Sequence, residues 1–136
     1  MRLWHIELLP VLPKQQLIGQ LRECVAMALR IHRDGCINNI LINRMRDYPI
    51  EHFKAYCNAV IAEIERRGYN VSGITKRKLI EYLGDLDAEQ TEIFSEWHNK
   101  RYLRQCLYNL QEKYDCGGIR QEEWEVIENK FKEELQ

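Results

Sequence analysis

At 136 residues, 45% hydrophobic and 30% charged, the chain is the size of a single domain and too apolar to be disordered. No apolar run approaches the ~20 residues that span a bilayer. Arg2, His5, Glu7 and two prolines break the apolar start, so no signal peptide or membrane partner is expected and the chain is predicted to be cytoplasmic. The net charge of −1 hides a division: residues 1–80 hold 13 Lys and Arg against 7 Asp and Glu, and residues 81–136 hold 7 against 14. The front could face a polyanion that the back would repel.

In chain order, Pro13 suits a helix start, where its missing N–H costs nothing. Leu17, Leu21, Cys24, Val25 and Ala28 then follow at three- and four-residue spacing, predicting a helix to about Arg30 with Arg22 and Glu23 flanking its buried stripe. Arg33-Asp34-Gly35 reads as a turn, and INNILIN after it as a loop or short helix. Asp47 is a candidate N-cap with Pro49 in the first turn of a second helix. Ile50, Phe53, Cys57, Val60, Ile61 and Ile64 are its predicted buried stripe, and Gly68 its left-handed end. A short helix is expected over 75–83, stopped by Gly84. Asp87 and Gln90 have capping-box spacing and predict a helix that runs to Tyr114, with a break near Asn99. Cys116-Gly117-Gly118 stops it, and Trp124, Ile127, Phe131 and Leu135 share one face of the last segment. The fold class is all-α: a compact single domain over 1–136 with about four to five helices.

The five cysteines, Cys24, Cys36, Cys57, Cys106 and Cys116, are odd in number and form no CxxC pair. Neither a disulfide framework nor a zinc knuckle is expected, only reduced thiols mostly in the core. Cys24 beside Glu23 suggests a nucleophile, but its spacing places it in the buried stripe. His98 has no partner at metal-ligand spacing. His52 is expected to be solvated. Arg66 and Arg67 suit the end of a helix, and Lys76-Arg77-Lys78 a solvated face.

The extreme N-terminus carries more. Termini fray unless tied down, yet this one begins with Arg2, Trp4 and His5. An α-amino group titrates at about 7.7–8.0 against about 10.4 for lysine, so roughly a tenth is free amine at neutral pH. Anchored in a site, it is a ready nucleophile for Schiff-base chemistry, and a carboxylate such as Glu23 could move its protons. Trp4 and His5 are candidates to line such a site; packing against the second helix is the favoured role for His5. Arg44 and Arg46 extend a phosphate track or are ordinary surface charge.

MRLWH (Met1 to His5), LPKQQLIGQ (Leu12 to Gln20) and Arg22-Glu23 together resemble the start of the pyrimidine dimer DNA glycosylase family, the phage endonuclease V type, in its bacterial branch. Ile61 to Ser72 resembles a later helix of that family, and Arg101 to Tyr114 is a weaker echo. Residues 1–72 carry the resemblance; 73–136 form a divergent acidic helical part. The resemblance implies an all-α base excision repair enzyme, a DNA glycosylase and AP lyase without metal or other cofactor. Its partner is double-stranded DNA with pyrimidine dimers or abasic sites, recognised with an extruded nucleotide. The N-terminal amine attacks the sugar C1′ to form an imine, and a glutamate on the first helix assists that step and the later β-elimination. By position these are Met1 and Glu23, with Arg2 and Arg22 on DNA phosphates.

The chain also departs from the phage members. Those expose a threonine amine, whereas the bulk of Arg2 retains Met1 here. Ala26 stands where they carry another arginine. The turn that is lysine-rich in the bacterial branch reads HRDGC, with His32 and Arg33 its basic residues. An acidic helix around Trp124 replaces a basic tail. Two alternatives follow: a non-catalytic DNA- or protein-binding member of the same fold, and a helical interaction module whose acidic C-terminal helix docks a basic partner.

Overall fold

The computed structural model describes residues 1–86 and 92–136. The described residues form five α-helices: α1 (Lys14–Asp34), α2 (Ile50–Arg66), α3 (Gly73–Leu83), α4 (Lys100–Asp115) and α5 (Gln121–Lys130). Two 3-10 helices, Ile6–Val11 and Asn43–Asp47, precede α1 and α2. Among the described residues there is no strand, in keeping with the all-α expectation. No described helix is long and apolar enough to cross a membrane.

The core runs from Leu3 through α1, α2 and α4 to Phe131, so both charge halves share one interior. α1 packs on α2 and α3, while α2 and α5 each pack on the first 3-10 helix. Phe53, Tyr56, Cys57, Val60 and Ile64 fill the centre, each of the large ones contributing about 1.5–3 kcal/mol by burial. Trp124, Ile127 and Phe131 seat α5 as their spacing predicts.

Several boundaries differ from the sequence reading. α1 continues one turn past Arg30, because nothing before Gly35 resists the helix; Gly35 ends it at φ 79°. α2 starts at Ile50 with Pro49 as its cap, and Asp47 closes the preceding 3-10 helix instead. Ile50 is 36% exposed and does not join the stripe. α3 begins at Gly73, where the Ser72 hydroxyl accepts from the Thr75 N–H. The capping box at Asp87 and Gln90 lies outside the described residues. α4 starts at Lys100, capped by the Asn99 side chain, so residues 92–99 are turns. Pro13 offers α1 no side-chain cap. That role falls to Glu123 of α5, whose Oε2 accepts from the Lys14 N–H at 2.9 Å. An acidic residue of the back half thus serves the positive end of a front-half helix.

Candidate active site

The extended N-terminal segment is held by side chains, residue by residue. The Arg2 N–H donates to Glu23 Oε2 at 3.3 Å. The Arg2 carbonyl accepts from Gln20 Nε2 (2.9 Å), and the Trp4 N–H donates to Gln20 Oε1 (2.7 Å). Tyr102 Oη donates to the Leu3 carbonyl (2.5 Å) and Tyr56 Oη to the Trp4 carbonyl (2.6 Å). The Ile6 N–H donates to His98 Nδ1 (2.9 Å). An extended segment has no partners of its own, and unpaired buried backbone groups are costly. α1, α2, α4 and the 92–99 turns supply those partners, which fixes the terminus in place.

What the segment borders is a cleft of about 900 Å³. Met1, Arg2, Trp4 and the α1 face from Lys14 to Glu23 form two of its walls; Asn109 and Lys113 of α4 form a third. Four cationic side chains, Arg2, Lys14, Arg22 and Lys113, line it together with Glu23, the single carboxylate among the described lining residues. Arg2 and Lys113 both stand over the Trp4 ring, at 5.6 and 5.4 Å from its centre. Gly19 leaves the wall of α1 bare: a Cβ there would meet nothing within 4 Å, so packing does not demand glycine, although glycine costs a helix interior about 1 kcal/mol. No lining residue comes from α5, so the acidic helix lies beside the cleft, not over it.

Met1 and Glu23 therefore line one cleft, but the hydrogen bond to the carboxylate comes from the peptide nitrogen of Arg2. The amine of Met1 is one residue further out, at most ~3.6 Å along the chain. The other predicted residues separate. Arg22 is exposed on the cleft wall, and Trp4 is buried in it. Arg44 lies in an adjoining recess of about 640 Å³ that shares Arg2 and Leu41 with the cleft. Arg33 lines neither. Arg46 faces a separate recess beside Cys36, and its Nε donates to the Ile37 carbonyl at 2.6 Å.

His5 turns away from the cleft. It is 2% exposed and stacks on His98 at 5.1 Å, with its Nδ1 accepting from the Glu7 N–H. His98 is buried among Tyr56, Phe94, Trp97 and Tyr102. Since Nδ1 accepts from Ile6, its proton sits on Nε2, which has no partner. Burial pushes both histidines below the ordinary range, His98 to about 3, so both are neutral framework at physiological pH. His52 is not solvated: its Nδ1 accepts from the N–H of Phe94, a fully buried residue held at φ 50°. Arg67 ties the end of α2 to the Leu9 carbonyl.

Cys24, Cys57 and Cys106 are buried, whereas Cys36 and Cys116 are exposed. A hydrogen bond to Cys57, then burial, holds the Cys24 thiol far above its usual range, which removes it as a nucleophile. Among the described residues no group of three or more His, Cys, Asp or Glu is placed to hold a metal ion. The cleft is lined by Met1 at the chain's start, the Glu23 carboxylate and four cationic side chains.

Two features escaped the sequence reading. Gln20 holds two backbone groups of the N-terminal segment, and Lys113 brings a cation from the acidic half. Among known proteins, a family model described as pyrimidine dimer DNA glycosylase matches residues 1–77, over half the chain, without assigning a branch. No curated protein and no solved structure matches the chain.

Proposed function

The chain belongs to the pyrimidine dimer DNA glycosylase family, a family of DNA repair, and on that premise we propose that it excises the damaged base and cleaves the strand through an imine on Met1. The observation that carries this reading is the bond from the Arg2 N–H to Glu23, in a cleft that Met1 also lines. It keeps the start of the chain at a carboxylate inside a ring of cations.

In this reading the amine of Met1 bonds to the sugar C1′ as the C1′–N bond to one base of the dimer breaks; that base takes up a proton and stays joined to its dimer partner. The C1′–O4′ bond then opens, O4′ takes up a proton, and a protonated imine remains. Glu23 faces the positive charge that builds on the sugar and moves these protons. Removal of a C2′ proton expels the phosphate at C3′ and cuts the strand. Water hydrolyses the imine and restores the amine. Arg2, Arg22 and Lys113 hold the flanking phosphates.

Borohydride trapping on duplex DNA with an abasic site tests this, using protein with nothing preceding Met1. Borohydride reduces the imine to a stable amine, so a covalent adduct is expected, and an N-terminal extension abolishes it. Glu23→Gln is expected to trap while cutting about 10²-fold more slowly or worse. Absence of an adduct from folded protein at low salt refutes the imine and leaves a non-catalytic DNA-binding member of the family.

A further inference from the structure

Ile40 is 90% exposed, the most exposed large hydrophobic residue in the described chain, and Leu41 beside it is 49% exposed. Isolated apolar residues on helix surfaces are ordinary. This pair is different because its backbone is built to present it. The Asn39 carbonyl accepts from the Ile42 N–H at 3.0 Å. The Asn39 side chain accepts from the Leu41 N–H (3.1 Å), and Asn43 Oδ1 accepts from the Asn39 N–H (2.8 Å). Ile37 on one side and Ile42 on the other are buried in the core, and Arg46 clamps the Ile37 carbonyl. These bonds pin the turn at both sides, and its two apolar side chains are exposed.

Its position is equally specific. Leu41 lines both the Met1–Glu23 cleft and the adjoining recess, so the turn is the ridge between them. The recess beside it carries Arg2, Arg44 and Arg101. Ile40 and Leu41 share that recess with the rings of Trp97 and Tyr102, and three guanidinium groups flank them. That is the pattern of an apolar wedge with phosphate-holding flanks.

We propose that Ile40 and Leu41 are a wedge that enters the base stack of duplex DNA beside the lesion, while Arg2, Arg44 and Arg101 hold the backbone on either side. The wedge rests on the reading of the cleft as a DNA-strand site, though not on the imine. It keeps a base step open so that the damaged nucleotide reaches the amine.

The test uses a duplex with a tetrahydrofuran abasic analogue, which cannot form an imine, and 2-aminopurine next to it. Its emission rises when the base unstacks. The intact, untagged protein is expected to raise the emission, and Ile40→Ser/Leu41→Ser to reduce that rise about threefold or more at saturating protein, judged by anisotropy of a labelled duplex. Ile40→Phe, which keeps an apolar wedge at a solvent-facing position, is expected to retain the rise. Equal emission from the parent and the double serine variant overturns the wedge, as does a parent that saturates the duplex without raising emission. Failure of the imine reading is seen separately, as a missing borohydride adduct with the parent on an aldehydic abasic site. A parent that binds no duplex at low salt overturns the wedge together with the DNA reading, and shows in the anisotropy alone.

Discussion

Replacing Gln20 with alanine removes one amide that holds two backbone groups of the N-terminal segment. The residue is 1% exposed. Its loss strands the buried Trp4 N–H, at about 1–3 kcal/mol, and frees the half-buried Arg2 carbonyl to seek water, at about 1 kcal/mol. Tyr56 loses its 3.0 Å bond to Gln20 but keeps the Trp4 carbonyl, so it adds little. The expected total is about 2–4 kcal/mol, a large share of a stability of about 5–15 kcal/mol. With a urea slope of about 2 kcal/mol per molar, the unfolding midpoint should fall by about 1–2 M. A Gln20→Ala protein whose midpoint and trapping both match the parent would refute the idea that this amide seats the terminus.

Acid should destabilise the fold through its buried imidazoles. The folded-state values of His5 and His98 lie below 6.5, so the unfolded chain takes up their protons first. Their contribution is complete above about pH 6.5 and is lost as pH falls; for His98 the loss runs toward pH 3 at about 1.4 kcal/mol per unit, and His5 adds a loss in the same direction. For His98, with its value near 3, the whole loss is on the order of 5 kcal/mol. Urea midpoints from pH 7.5 to 4 should show this, and His98→Gln, whose oxygen can still accept from Ile6, should flatten the profile; an equally steep profile in that variant would contradict the assignment. Lys113→Ala should lower the slope of log K against log salt for duplex binding by about 1 with little change in stability. An unchanged slope would remove Lys113 from the phosphate track.

The helices were legible because their information is local. Phe53, Cys57, Val60 and Ile64 announce α2 by spacing alone, and Gly35, Gly68 and Gly84 announce ends that need a left-handed residue. The resemblance in MRLWH and LPKQQLIGQ pointed to the correct family over the matched region. What stayed hidden were partnerships across the chain. His98 meets Ile6 across 92 residues, His52 meets Phe94 across 42, and Glu123 meets Lys14 across 109. No periodicity encodes these. Gln20 was quoted within a motif yet had no visible role, since its partners lie in a segment without regular structure. The exposed Ile40 looked like part of a short apolar run, and only the turn geometry shows that Ile42 goes inward while Ile40 goes out.

The clasp on the first residues sets an order of assembly. The carbonyl of Leu3 is held by Tyr102 and the N–H of Ile6 by His98, so the segment made first waits for groups made about a hundred residues later. Contacts of such long range close late and slowly. Until α4 has formed, only Gln20, Glu23 and Tyr56 can hold the segment, and the Leu3 carbonyl and Ile6 N–H lack their partners. A chain that stops before α4 lacks Tyr102, Asn109 and Lys113, and with them one clasp on the terminus and one wall of the cleft.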